Sequence, residues 1–199
     1  MATSHKGILS ILHKTDYLQQ KEHFPENTPA PVFLIGFLRS GTTLTQEVLD
    51  THPNVFVSDE SDLLVSTREE LKRIANGTNV PELLRNADTD LINHLRQFYW
   101  TNAINRYGDN ISNQIFIDKT TMNTFDLGLI NCIFPDAKIL FLLRDPRDVC
   151  ISCFMQIMEP TAMTVHLTNW KSTADFYHLT MTWWEHIKQI MPTKYLEFR

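Results

Sequence analysis

Short, continuously apolar runs alternate along this chain with stretches whose apolar residues recur at helical spacing. Val32-Phe33-Leu34-Ile35, Val55-Phe56-Val57 and Ile115-Phe116-Ile117 are such runs, followed by Lys138 to Leu143 and by Tyr195-Leu196-Glu197-Phe198. Runs this short and apolar are the pattern of strands buried on both faces. Between them, Thr42 to Leu49 reads as a helix carrying Leu44, Val48 and Leu49 on one side, ended by His52-Pro53-Asn54. Residues 63–107 read as mostly helical, with breaks near Asn76-Gly77 and at Pro81. Further helices are expected over Asn123–Phe134, Pro146–Met158 and Thr173–Met191, the last containing Trp183 and Trp184. Strands alternating with helices predict an α/β fold, a three-layer sandwich with a central parallel sheet. Residues 1–31 are expected to hold a short helix and a loop punctuated by Pro25, Pro29 and Pro31, and residues 32–199 to form the domain itself.

In a parallel sheet of this kind ligands bind beyond the carboxyl ends of the strands. Three strands end in polar clusters there: Arg39 to Thr43, Asp118-Lys119 and Arg144-Asp145. The topology therefore gathers these clusters along one edge.

Composition narrows the chemistry. The formal net charge of −5 argues against a general nucleic-acid binder, though a few cations can still hold an anionic ligand locally. No apolar run approaches the roughly 18 residues of a membrane span. Ile8, Leu9, Ile11 and Leu12 are interrupted by Ser10 and followed by His13-Lys14, so they form no clear signal-peptide core. A cytoplasmic protein is the expectation. Cys150 and Cys153 have C-x-x-C spacing, but no second pair follows, and their apolar surroundings suggest buried thiols on a helix face. The histidines form no ligand cluster, and no metal is expected.

Gly36-Phe37-Leu38-Arg39-Ser40-Gly41-Thr42-Thr43 has the skeleton G-x-x-x-x-G-x-[ST] between a strand and a helix. Such a loop wraps its backbone N–H groups around a phosphate at the helix N-terminus. In a nucleoside-triphosphate P-loop a lysine after the second glycine reaches the β- and γ-phosphates. Thr42 stands in that place. The loop is thus poorly equipped to cleave a β–γ bond, yet can bind a terminal phosphate through Ser40, Gly41, Thr42 and Thr43, with Arg39 supplying the charge.

At this point a resemblance becomes specific. Arg39-Ser40-Gly41-Thr42-Thr43-Leu44, followed by Asp50-Thr51-His52-Pro53, resembles the 5′-phosphosulfate-binding region of sulfotransferases that use 3′-phosphoadenosine 5′-phosphosulfate (PAPS). It is most similar to tyrosylprotein sulfotransferases and to bacterial sulfotransferases fused to tetratricopeptide repeats. Phe134-Pro135-Asp136-Ala137-Lys138 through Leu143-Arg144-Asp145-Pro146-Arg147-Asp148 to Ser152 resembles the 3′-phosphate segment of the same family. Met155-Gln156, Glu159 to Met163 and the Tyr177–Trp184 helix resemble the repeat-fused branch. The resemblance implies the P-loop-containing nucleotide hydrolase-like fold. It also implies transfer of a sulfuryl group from PAPS to a hydroxyl on tyrosine, a sugar or a small molecule. The family's domain continues past the Leu196–Arg199 strand, so a domain lacking its C-terminal part is expected. A P-loop kinase or NTPase and a non-catalytic nucleotide-binding module are the competing readings.

Roles follow from that resemblance, position by position. Arg144 and Ser152 match the 3′-phosphate ligands, eight residues apart, so that one ends a strand and the other lies two turns into the next helix. For Arg144 an ion pair with Asp148 is the plain alternative. Lys119 occupies the place of the catalytic lysine and, with Arg39, would stabilise the transferring group; a solvated turn lysine is its alternative. Glu60, 21 residues after Arg39, matches the base that takes the acceptor's proton. Asp59 and Asp62 compete with it, and Ser58 or Ser61 could cap the following helix. His52 reads as structural. Asn76-Gly77-Thr78 and Asn110-Ile111-Ser112 have glycosylation spacing and are taken as chance.

Overall fold

The computed structural model describes residues 29–191 and 193–199; the helix expected before residue 25 lies outside them. Five strands form one sheet: β1 (Val32–Gly36), β2 (Val55–Val57), β3 (Ile115–Asp118), β4 (Lys138–Leu142) and β5 (Lys194–Phe198). Their order is β2-β3-β1-β4-β5, and every neighbouring pair is parallel. The first strand is therefore central, and Phe33, Leu34 and Ile35 are wholly buried there. Phe33 and Ile35 join the large cluster on one face, while Leu34 joins Val57 and Ile117 on the other. A strand apolar at successive positions serves both faces at once, because side chains alternate across the sheet.

Helices connect the strands. α1 (Thr42–Asp50) follows β1. α2 (Leu63–Ala75), α3 (Val80–Arg85) and α4 (Thr89–Tyr107) lie between β2 and β3. α5 (Leu127–Ile133) precedes β4, and α6 (Pro146–Met155) and α7 (Trp170–Ile190) lie between β4 and β5. Leu64 and Leu71 of α2, Leu95 and Tyr99 of α4, Ile130 of α5 and Trp184 of α7 bury their side chains in the large cluster. Leu49 of α1 packs on the opposite face. This is the expected layering of helices on both sides of a parallel sheet.

Several boundaries differ from the sequence reading. The region 63–107 is three helices. Asn76 ends α2 in the left-handed conformation (φ 44), whereas Pro81 lies in the first turn of α3, where a missing N–H costs nothing. The helix expected from Asn123 to Phe134 is a 3-10 segment, Thr121–Asp126, leading into α5. α6 stops at Met155 rather than Met158, because Gln156 is extended (φ −93, ψ 130). α7 begins three residues before Thr173, where the Asn169 side chain accepts from the Ser172 N–H. Neither Ser58 nor Ser61 caps α2: Asp62 holds the cap position, with no side-chain bond to the helix.

Candidate active site at the carboxyl edge of the sheet

β1 and β4 lie side by side, with Gly36 opposite Leu142. The chain leaves β1 toward β2 on one side and leaves β4 toward β5 on the other. Such a divergence opens a crevice at the carboxyl edge. Gly36 is needed at its floor. A Cβ there would come within 2.8 Å of the Leu142 carbonyl oxygen and 3.0 Å of Ser40 Oγ. Gly41, at φ +108, turns the loop into α1, and no side chain caps that helix. Its first-turn N–H groups lack intrahelical acceptors by construction.

Within the loop, Ser40 is 6% exposed, and its hydroxyl is buried without a hydrogen-bond partner. A buried polar atom left unpaired in a glycine-shaped anion loop suits a ligand oxygen. Thr43 lies exposed on the first turn. Arg39 stands at the tip of the loop with φ 63, and its guanidinium Nε donates to Ser152 Oγ at 3.1 Å. Arg144 donates through Nη1 to the Arg39 carbonyl oxygen at 3.3 Å. Residues 113 and 105 positions apart in sequence are thus joined around one crevice. The ion pair foreseen as the alternative for Arg144 is present too, with Nη2 at 3.6 Å from Asp148. Beside these residues a cleft of about 360 Å³ is lined by Arg144, Asp148, Ile151, Ser152, Met155 and Gln156.

The second cluster lies past the ends of β2 and β3. The Ser58 N–H donates to the Ile117 carbonyl at 2.9 Å. Side-chain hydroxyls then continue the pairing. The Lys119 N–H donates to Ser58 Oγ at 3.0 Å, and Thr120 Oγ1 bridges the Ser61 N–H and carbonyl, each at 3.1 Å. Lys119 is 5% exposed, so it is not the solvated turn lysine of the alternative reading. Its ammonium lies 3.9 Å from the Glu60 carboxylate, whose side chain is 59% exposed. The neighbouring acids face elsewhere: Asp59 accepts from Gln46 Nε2 at 2.9 Å, and Asp62 pairs with Arg106 at 3.1 Å. His52 accepts from the Asn54 N–H through Nδ1, within its own turn.

These features prompt comparison with known proteins. A family-level sequence profile described as the Sulfotransferase family matches residues 31–199. The chain belongs to the sulfotransferase family. A relative from Aquifex aeolicus (strain VF5), described as an uncharacterized protein, is 28% identical over 131 residues, which are 63% of this chain and 17% of that protein. The crystal structure of sulfotransferase STF9 from Mycobacterium avium superposes with a TM-score of 0.43 at 12% identity, covering 93% of this chain and 63% of that one. The chain therefore spans less than two thirds of either protein.

Around the crevice, three features escaped the sequence reading: Thr121 altogether, the burial of Asp118 and the partner of Ser58. Thr121 is 2% exposed and links Thr42 to Glu60. Asp118, directly before Lys119, is wholly buried; it accepts from the Tyr99 hydroxyl at 2.8 Å, and Thr120 Oγ1, 3.2 Å away, shares its one proton between Asp118 and the Ser61 carbonyl. Burial pushes its carboxyl up from 3.8 to about 6, partly offset by those two donors, and it pushes the Tyr99 phenol well above its usual value. The third is Ser58, whose hydroxyl serves Lys119 rather than a helix. For Thr121 and Asp118 the signal in the sequence was the polar run Asp118-Lys119-Thr120-Thr121 at a strand end; Ser58 was read only as a possible helix cap. The cysteine expectation needs correction: Cys153 is buried, with its thiol raised to about 11 by burial, but Cys150 is only half-buried. Among the described residues no cluster of His, Cys, Asp or Glu is placed to hold a metal ion, and no helix is long and apolar enough to cross a membrane.

Proposed function

We propose that residues 32–199 form the donor-binding and catalytic domain of a sulfotransferase that moves the sulfuryl group of PAPS to a hydroxyl acceptor, a tyrosine, a sugar or a small molecule. The observation that carries this reading is the meeting of Arg39 with Ser152 and Arg144 across the β1–β4 junction. It sets two anion-suited clusters at one crevice, as a donor with phosphates at both its 5′ and 3′ ends requires.

The donor supplies an activated sulfuryl group on a phosphate leaving group. In this reading Ser40, Gly41, Thr42 and Thr43 surround the 5′ end, using N–H groups at the start of α1 and the unpaired Ser40 hydroxyl. Arg144 and Ser152 hold the 3′-phosphate; arginine–phosphate bonds are charge-assisted and strong. Arg39 and the buried Lys119 offset negative charge that spreads as the sulfuryl group moves. Burial of Lys119 matters here, because water does not screen its charge from the crevice. Glu60, exposed where an acceptor can approach, receives the hydroxyl proton. Helices α2 to α4, which follow Glu60 in the chain, would shape the acceptor pocket. A cytoplasmic location is consistent with the reading.

Ligand stabilisation tests it. The reaction product 3′-phosphoadenosine 5′-phosphate (PAP), without Mg²⁺, is expected to raise the melting temperature by on the order of 5–10 °C at a hundredfold excess over Kd. Arg144→Ala should abolish the shift. Stabilisation by Mg·ATP alone would sink the proposal and point to an NTPase. PAP binding without turnover of any acceptor would point to a binding module.

A further inference from the structure

We propose that Thr121 is a positioning residue, whose hydroxyl holds the Glu60 carboxylate beside Lys119 and ties it to the first turn of α1. The inference rests on the functional reading above and adds to it a residue that neither the loop motif nor the strand-end lysine identified.

Thr121 Oγ1 donates to Glu60 Oε1 at 3.3 Å and lies 2.9 Å from Thr42 Oγ1, a contact buried within the fold. A hydroxyl carries one proton, and a carboxylate only accepts. Thr121 therefore gives its proton to Glu60, and Thr42 donates in the pair between the two threonines. The result is a directed chain from the phosphate loop to the carboxylate. Position is what this chain supplies. The Glu60 side chain is 59% exposed, and its contact with Lys119 is long, at 3.9 Å, so Coulomb attraction alone restrains it weakly. Thr121, at 2% exposed, and Thr42, at 5%, are fixed by packing. The same segment is further held by Thr120 on the Ser61 backbone and by Ser58 on the Lys119 N–H. An exposed acid is thus tethered to a buried hydroxyl, which suits proton transfer at a defined geometry.

The test is a double-mutant cycle on turnover with PAPS. Thr121→Val keeps the shape and removes the hydroxyl; Thr121→Ser keeps the hydroxyl. Thr121→Val is expected to lower kcat about tenfold while the KM for PAPS and the affinity for PAP stay within about twofold. Thr121→Ser is expected to restore kcat. In a Glu60→Gln background, Thr121→Val should cost nothing further, since the residue acts through Glu60. An equal loss in both backgrounds, or an undiminished kcat in Thr121→Val, would overturn the proposal. A second readout does not depend on turnover. The ¹³C signal of the Glu60 carboxylate should move in Thr121→Val and return in Thr121→Ser; an unmoved signal would overturn the proposal as well. A wild-type protein that neither binds PAP nor transfers sulfuryl groups would defeat the functional reading, and the carboxylate signal would then decide the role of Thr121.

Discussion

Asp118 shows how a single buried group shapes the region around Lys119. Its carboxyl has no exposure and is raised from 3.8 to about 6 by burial. Between about pH 4 and pH 6 the folded protein keeps this proton while the unfolded chain has released it. Stability from this group is therefore greatest at low pH, falls as pH rises through that window and levels off above it. At 1.36 kcal/mol per unit, a difference of about two units corresponds to about 3 kcal/mol. Asp118→Asn has no such titration. The stability of wild type relative to Asp118→Asn is expected to drop by about 3 kcal/mol between pH 4 and pH 7, measured by urea unfolding at each pH. A constant difference would mean that the carboxylate is not desolvated as its burial implies. Ser58 and Thr120 act at the same scale: their hydroxyls replace ladder bonds where the β2–β3 pairing ends.

At the scale of elements, the helices divide by how their N-termini are finished. α4 is closed by Asp88, whose carboxylate accepts from the Leu91 N–H at 2.9 Å, and α7 by Asn169, which accepts from the Ser172 N–H at 2.9 Å. α6 is closed by Asp145, on the Arg147 N–H at 2.9 Å. In α1 no side chain fills that place, and Gly41 provides only backbone. Asp88→Ala and Asn169→Ala are each expected to lower stability by about 1 kcal/mol, read from chemical unfolding, without altering PAP affinity. α2, α3 and α5 also start without a side-chain cap bond; what sets α1 apart is the buried, unpaired Ser40 hydroxyl beside it. A helix start left open beside an unpaired Ser40 hydroxyl is suited to an external anion.

For the whole molecule, Trp184 of α7 is the joint between the central strands and the edge strand. Its indole stacks on Phe141 of β4, with ring centroids 4.1 Å apart and planes 6° off parallel. It meets the Tyr195 ring of β5 edge-on at 5.4 Å, and its N–H donates to Glu197 Oε1 at 2.6 Å. Lys188 binds the same carboxylate at 2.7 Å. β5 is exposed along Lys194 to Leu196, so it depends on this joint as well as on its ladder with β4. Trp184→Ala is expected to cost about 3–5 kcal/mol in urea unfolding, a large share of an ordinary domain's stability. The Leu143 N–H bonds to the Phe198 carbonyl at 2.9 Å, directly before Arg144, so the loosening would reach the proposed 3′-phosphate side of the crevice.

Local order along the chain determined the parallel α/β layering, because strand and helix periods are written in consecutive residues. Val32–Ile35 reads as a strand for both faces, and Gly36 to Thr43 reads as an anion loop, from the sequence alone. The separation of α2, α3 and α4 was only partly legible, since Pro81 begins a helix as readily as it ends one. The relation of Arg39 to Ser152, of Thr42 to Thr121 and of Asp118 to Tyr99 was not legible. Each joins residues that different strands deliver to one crevice, and no local pattern records which hydroxyl meets which acid. The sequence also left Asp59, Glu60 and Asp62 equivalent in kind. Tertiary structure separated them, by turning Asp59 to Gln46 and Asp62 to Arg106 while Glu60 faces Lys119. Hydrophobic pattern sets the layers because it acts through burial summed over many residues. Site geometry depends on single hydrogen bonds between distant segments, and only the assembled fold supplies those.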